Sequence, residues 1–147
     1  MKHKLSLIAA AMFAIAGLSA CGGGSDGPSV PVYSPAALVK TDTVVGTGAV
    51  AAAGKAVKVH YTGYLYTTTV ADFRGTRFDT SIGSDPYSYT VGSANVIPGF
   101  DQGVTGMKVG GKRTVHIPAS LGYGSAGRSN IPPNSGLVFD LELIEVK

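Results

Sequence analysis

The sequence has no tryptophan, a single cysteine and few charged side chains, with Asp, Glu, Lys and Arg making up 14% of its 147 residues. One cysteine cannot form an internal disulfide, which excludes the small folds that depend on disulfides. Disorder is also excluded as the general state, because disordered chains are poor in hydrophobic residues, whereas here these make up 44%. Glycine is abundant, at 21 residues, so the composition favours a folded protein rich in strands and loops.

The sequence also lacks a block of basic residues. Its formal net charge is +3, but two of its twelve Lys and Arg residues, Lys2 and Lys4, lie at the amino terminus. Without them, ten Lys and Arg residues face nine Asp and Glu residues. A nucleic-acid-binding protein usually carries a basic stripe, so we exclude nucleic acid as a partner.

No hydrophobic run is long enough to span a membrane, which takes roughly 20 apolar residues. Residues 1–20 instead have a short basic start and an apolar run over residues 5–18, as in a secretory signal peptide. The run ends in Leu-Ser-Ala-Cys at Cys21, which resembles the lipobox of bacterial lipoproteins, where the cysteine is lipidated. The alternative is a conventional cleavage near Ala20 that leaves a free thiol. Because lipidation removes that thiol, we expect Cys21 to attach the protein to a membrane.

The segment after the signal peptide is predicted to be a tether. Residues 21–37 contain the lipidated cysteine and a stretch rich in Gly, Ser and Pro without apolar periodicity, which is typical of a flexible linker. By resemblance to Gram-negative lipoproteins, Gly22 after the cysteine favours the outer membrane. We expect residues 38–147 to form one folded domain.

Alternating hydrophobic residues predict strands in the folded part. The pattern begins at residue 56, where Val57, Val59 and Tyr61 share one face, and it recurs over residues 112–117 and 137–146. His60 and His116 fall on the opposite faces, which predicts surface positions for both.

One short helix is predicted from Pro98, because proline is favoured at the first helical position. Ile97, Phe100, Val104 and Met107 would line one face of it, and Gly110-Gly111 would end the segment with a turn. The expected fold class is α+β, with antiparallel strands and one packed helix.

Several short stretches follow one another along the folded part: Val59–Gly63, Arg77–Ser81, Val96–Phe100, Gly122–Gly124, Ile131–Asn134 and Leu137–Asp140. Their order and spacing resemble the FKBP family of peptidyl-prolyl cis–trans isomerases, and the resemblance covers nearly all of residues 40–147. It implies a twisted antiparallel β-sheet curled around one short α-helix, an apolar pocket for the substrate proline, and no cofactor or metal.

The resemblance implies ten pocket residues. It gives the Tyr123 hydroxyl and the Ile97 backbone N–H the role of orienting substrate carbonyls, and it places Asp79 at the pocket edge near the Tyr61 hydroxyl. The catalytic set is Asp79, Tyr123, Phe78 and Tyr61, and the substrate-binding set is Tyr87, Val96, Ile97, Phe100, Ile131 and Phe139.

An apolar pocket of this kind suits the chemistry of an X–Pro bond. Rotation about a peptide bond costs about 18–20 kcal/mol because planarity gives resonance. A twisted amide has a less polarised carbonyl, so an apolar site walled by aromatic rings favours it over the planar form. The implied enzyme would act on proline-containing polypeptides, as a monomer, without a nucleophile. The alternative is a non-catalytic binding module that uses the same pocket.

Three departures from the family bear on the pocket. Residues 66–76 form a longer connection than in the smallest members and are predicted to be a surface loop. No arginine lies between Ser81 and Pro86, where some members pair one with the pocket aspartate. Asn130 replaces an apolar residue in a shortened loop, which leaves binding of rapamycin-type macrolides open.

Overall fold

The computed structural model describes residues 31–147, so the signal-peptide and lipidation predictions lie outside the described residues. Over residues 31–147 six antiparallel strands form one sheet in the order β1-β5-β6-β2-β3, with β4 also paired to β2. The elements are β1 (Val39–Val44), β2 (Ala56–Tyr66), β3 (Arg74–Thr80), β4 (Tyr87–Thr90), α1 (Pro98–Val104), β5 (Lys112–Ile117), a 3-10 turn (Ala119–Leu121) and β6 (Leu137–Val146).

The α+β prediction is confirmed, and the alternation of side chains explains which face of the sheet is buried. Val59, Val115 and Leu143 point into the core from β2, β5 and β6 and are fully buried. Strands β5 and β6 have the predicted bounds, and β2 begins as predicted but continues to Tyr66. The helix lies against β5 and β6, so the core is the layer between helix and sheet.

The predicted helix start is correct, but the helix is shorter than its apolar pattern suggests. It ends at Val104, and Met107, although buried, lies in the turn that follows. The reason is that the backbone there bonds elsewhere: Gly106 N–H donates to Ala51 O at 2.8 Å, and Ala51 N–H donates to Met107 O at 2.8 Å. A positive φ of 85° at Gly106 makes this turn possible.

Arg113 of β5 completes the end of the helix. Its Nη1 donates to the Gly103 carbonyl at 2.8 Å and to the Thr105 carbonyl at 3.1 Å, and its Nε donates to Asp42 Oδ1 at 2.6 Å. A cation is favoured at the C-terminal end of a helix, where carbonyls lack intrahelical partners. One side chain therefore joins α1, β5 and β1.

The prediction of a surface loop over residues 66–76 is wrong at both ends, because Tyr66 belongs to β2 and β3 begins at Arg74. Between them the chain folds back onto the outer face of the sheet. Phe73 stacks on Tyr66 with ring centroids 5.2 Å apart, and both rings pack edge-on against His116 at 5.3 and 5.6 Å. His116 is consequently half-buried, which corrects its prediction as a surface group.

Part of the predicted tether is attached to the domain. The Gly136 N–H donates to the Tyr33 carbonyl at 2.7 Å, and the Ala119 N–H donates to Ser34 Oγ at 3.0 Å. The folded unit therefore includes residues before position 38.

Within residues 31–147, no helix has the length and apolar character needed to cross a bilayer.

Candidate active site

The helix and the concave face of the sheet enclose an open cavity of about 490 Å³. Nine of the ten predicted pocket residues line it, and they are contributed by four strands, the helix and two loops. The lining residues are Tyr61, Phe78, Asp79, Tyr87, Ala94, Asn95, Val96, Ile97, Phe100, Tyr123, Arg128 and Phe139.

Aromatic rings form the floor and walls of this cavity. Phe100 and Phe139, only 5% and 4% exposed, pack edge-to-face with centroids 5.3 Å apart and form the floor. The Tyr61 ring meets Phe100 edge-on at 5.7 Å and Tyr87 at 6.2 Å, and Phe78 meets Phe139 at 5.6 Å. Because each ring is held by others at favourable angles, the walls are rigid before any ligand binds.

A glycine at the centre of β2 makes room for two of these rings. Gly63 is paired with Asp79 of β3 on one side and Phe139 of β6 on the other. A Cβ at Gly63 would lie 2.5 Å from Phe78 Cζ and 2.9 Å from Phe139 Cε1. The absence of a side chain therefore lets Phe78 and Phe139 meet above the strand.

The polar edge of the cavity centres on Asp79, which the structure brings next to Tyr61. The Tyr61 hydroxyl donates to Asp79 Oδ2 at 2.7 Å, and the Thr80 N–H donates to Oδ1 at 2.8 Å. Burial, together with the hydrogen bond to Asp79, raises the pKa of the Tyr61 hydroxyl well above its ordinary value. Tyr61 therefore stays protonated and can keep donating its hydrogen bond to Asp79.

Two further donors face the cavity. The Ile97 N–H donates no hydrogen bond within residues 31–147, although the Ile97 carbonyl accepts one from Phe100 N–H at 3.0 Å. The Tyr123 hydroxyl lies 3.4 Å from Arg128 Nη1, which donates to it, so its own proton can be donated to a ligand. Both groups can thus bond the carbonyls of a peptide in the cavity.

Ile131 is the predicted pocket residue that lies outside the main cavity. It is 6% exposed and borders an adjoining hollow of about 140 Å³, next to Ser129 and Asn130. A bridge between residues 128 and 131 turns its side chain inward, with Arg128 N–H donating to Ile131 O at 2.9 Å. Ile131 therefore borders the hollow that shares Phe78, Asp79, Tyr123 and Arg128 with the main cavity.

Three lining residues were not predicted: Ala94, Asn95 and Arg128. The first two directly precede the Val96–Phe100 motif, so proximity along the chain could have indicated them. Arg128 lies between two motifs in a loop, where no periodicity predicts the direction of a side chain.

Over residues 31–147 no three His, Cys, Asp or Glu side chains are grouped closely enough to hold a metal ion.

Comparison with known proteins identifies the family. The family model described as FKBP-type peptidyl-prolyl cis-trans isomerase matches residues 48–144. The chain belongs to this family. The predicted fold and the predicted family are both confirmed, since the match spans β2 to β5, most of β6, the helix and all of the cavity lining.

FKBP relatives occur in bacteria and in eukaryotes. An FK506-binding protein of Neisseria meningitidis is 42% identical over 111 residues, covering 74% of this chain and 95% of that protein. The peptidyl-prolyl cis-trans isomerase FKBP15-3 of Arabidopsis thaliana is 47% identical over 94 residues, covering 64% of this chain and 62% of that protein. The crystal structure of FkpA from Escherichia coli matches with a TM-score of 0.64 and 41% identity, covering 75% of this chain and 48% of that one.

This chain covers very different shares of these FKBP relatives. The chain spans less than two thirds of the Arabidopsis protein and 24% of a relative from Candida albicans. It spans nearly all of the Neisseria protein. The shared part is the domain that holds the cavity.

Proposed function

We propose that this chain catalyses cis–trans isomerisation of X–Pro peptide bonds in polypeptides outside the cytoplasm. The observation that carries the proposal is the convergence of nine family pocket residues on one cavity of about 490 Å³. A proline ring with its flanking peptide fits a hollow of this size, and the cavity is open to an extended chain. The FKBP family match supports the reaction, and the proposed active form is a monomer.

The proposed mechanism uses no covalent intermediate. The proline ring would bind over Phe100 and Phe139, away from water. The Ile97 N–H and the Tyr123 hydroxyl would bind substrate carbonyl groups that do not take part in the rotation. With these carbonyls fixed, rotation about the X–Pro bond is the main motion left to the bound substrate. Interactions that are stronger with the twisted amide than with the planar one then lower the barrier.

The apolar walls favour the twisted amide because its carbonyl is less polarised than that of a planar amide. Asp79 contributes an oriented negative charge at the cavity edge, and both of its oxygens already accept hydrogen bonds from Tyr61 and Thr80. We assign Asp79 to electrostatics and orientation, since rotation requires no proton transfer.

The experiment compares wild type with Phe78→Ala and Tyr123→Ala in a proline-peptide isomerisation assay. Each truncation removes a cavity wall, and we expect kcat/KM to fall about tenfold, from the loss of about 1.5 kcal/mol of apolar contact. Circular dichroism should show that both variants stay folded, because neither side chain is part of the fully buried core. FK506 added to the same assay tests whether the cavity also takes macrolides.

Phe73→Ala is the matched control, because it removes the same ring from the outer face of the sheet. Its activity should equal that of wild type. A wild-type rate no higher than the uncatalysed rate would disprove the proposed activity.

We further propose that the enzyme is a lipoprotein of a bacterial envelope, anchored through Cys21 and favouring the outer membrane. The support is the apolar run that ends in the lipobox-like Leu-Ser-Ala-Cys sequence. An acyl chain contributes about 0.8 kcal/mol for each buried methylene, and more than one chain gives stable attachment. The proposed substrates are then exported proteins that fold near that membrane.

A further inference from the structure

The cavity contains one charged group that the proposed mechanism does not use. Two charged residues line the cavity, Asp79 and Arg128. Both Asp79 oxygens accept hydrogen bonds, whereas Arg128 forms no ion pair with any residue in the described range 31–147. The Arg128 side chain is exposed at the rim, with its charge available to a ligand.

Arg128 is held in position by contacts at both ends of the residue. Its backbone N–H donates to Ile131 O at 2.9 Å, in a tight turn that Gly127 enters with a φ of 64°. Its guanidinium lies 5.6 Å from the centre of the Tyr123 ring, within the range of a cation–π interaction. A ligand that pairs with this guanidinium therefore meets a group whose freedom is already reduced.

The hollow of about 140 Å³ beside the main cavity extends from this guanidinium. It shares Phe78, Asp79, Tyr123 and Arg128 with the main cavity. It adds the polar side chains of Ser129 and Asn130, which make no hydrogen bond within the described part of the chain. A substrate bound through its proline has room here for one neighbouring side chain with hydrogen-bonding oxygens.

We propose that Arg128 is a specificity residue that selects substrates with an acidic side chain next to the proline. This inference rests on the proposed isomerase function and names the substrate class of the same site. Guanidinium pairs with a carboxylate in a two-pronged geometry that other cations do not match. Because Asp79 borders both hollows, the acidic side chain would lie at the end of the smaller hollow formed by Arg128, Ser129 and Asn130.

The expected preference is modest, because the guanidinium is exposed. Ion pairs at exposed sites contribute about 0.2–1 kcal/mol, which corresponds to a rate preference of up to about fivefold. Salt screens such pairs, so the preference should decrease as ionic strength rises.

The experiment uses peptides whose ends are acetylated and amidated, so that a single Glu is their only charge. Glu and the neutral Gln are compared directly before the proline and directly after it, and exchange NMR gives kcat/KM for each. For wild type, we expect the kcat/KM of the Glu peptide to exceed that of the Gln peptide by a ratio of about two to five at one of these two positions. The ratio should fall to about one in Arg128→Gln and lie between these values in Arg128→Lys.

Arg77→Gln is the matched control, because it removes an exposed arginine from β3 that lines neither hollow. Its ratio should equal that of wild type. A ratio of one at both positions in wild type, with the Gln peptides still accelerated, overturns the role of Arg128 and leaves the isomerase proposal standing. A wild type that accelerates no peptide overturns both. A Glu-to-Gln ratio that is as high in Arg128→Gln as in wild type also overturns the role of Arg128.

Discussion

At the scale of single residues, Tyr61 joins the apolar and polar parts of the cavity. Its ring meets Phe100 and Tyr87 edge-on, while its hydroxyl donates to Asp79. Because burial raises the pKa of this hydroxyl, the hydrogen bond persists over the whole physiological pH range. Asp79 is therefore held by a neutral donor in a chain that has no arginine between Ser81 and Pro86.

His116 gives a pH dependence of stability that can be measured. Burial beneath Tyr66 and Phe73, and secondly the positive charge of Arg74, lower the pKa of His116 below its ordinary 6.5, against a smaller opposite effect of Asp140. The unfolded chain therefore takes up a proton more readily than the folded protein does. The contribution of neutral His116 to the free energy of unfolding should be fully present above pH about 6.5 and should be lost as the pH falls through the lowered pKa.

The measurement is urea denaturation of wild type and His116→Phe between neutral pH and pH about 5. Phenylalanine keeps a ring against Tyr66 and Phe73 but does not titrate. The loss of stability on acidification should be smaller in the variant than in wild type. Equal losses in both proteins would show that His116 contributes nothing to this dependence.

The candidate site could be predicted residue by residue where a motif includes both the side chain and its neighbours. Phe78 and Phe139 were predicted from the family motifs, and the structure places both rings on strands. Ile131 was also predicted from a motif, whereas Arg128 was not predicted, because its direction depends on a tight turn closed by two backbone hydrogen bonds. Such a turn leaves no periodic trace in the sequence.

At the scale of elements, two glycines let α1 approach the sheet closely. A Cβ at Gly99 would overlap Ile117 Cγ2, and a Cβ at Gly103 would lie 2.9 Å from Val115 Cγ2. Both glycines are buried on the helix face that meets β5. This close approach brings Phe100, between them in sequence, down to the floor of the cavity.

Gly99→Ala should therefore destabilise the protein, although alanine is the better helix former. The added methyl group must displace the Ile117 side chain in a fully packed core, which typically costs 1–3 kcal/mol, and we expect about 2 kcal/mol. Chemical denaturation measures the change in the free energy of unfolding.

Gln102→Ala is the control for this prediction, because its side chain is exposed on the same helix. Its effect should lie within about 0.5 kcal/mol of zero. If Gly99→Ala were as stable as wild type, the helix would have room to move away from β5, and the close packing would not be required.

The strands β2, β5 and β6 were predicted from their alternating side chains, whereas β1, β3 and β4 were not. β5 and β6 alternate clearly and were predicted with correct bounds. β1 is exposed along its whole length as an edge strand, so its sequence has no alternation to detect. The end of α1 also escaped prediction, because it depends on bonds to Ala51, which lies far away in the sequence.

At the scale of the whole molecule, the cavity depends on a sheet whose neighbours are distant in sequence. β6, the last strand, lies between β5 and β2, so the carboxy-terminal segment is central to the sheet. The order of the strands cannot be derived from periodicity, and it was not predicted. The consequence is that the cavity forms only when nearly the entire domain has folded.

Membrane attachment through Cys21 is tested on the full chain expressed in a Gram-negative bacterium that is fed a labelled fatty acid. Wild type should incorporate the label and sediment with membranes, whereas Cys21→Ala should do neither. Ser25→Ala, four residues further along, should behave as wild type. Label retained in Cys21→Ala, or absent from wild type, would disprove lipidation at this cysteine.

In the lipoprotein that we propose, the bonds of Tyr33 and Ser34 to Gly136 and Ala119 limit how far the domain can lie from the membrane. Both bonds attach the chain beside the turn that leads to Tyr123, so the distance from Cys21 to the domain is limited to the length of the sequence up to Tyr33. Fully extended, that length is roughly 40 Å. The proposed enzyme would then act on exported proteins only within about that distance of the bilayer.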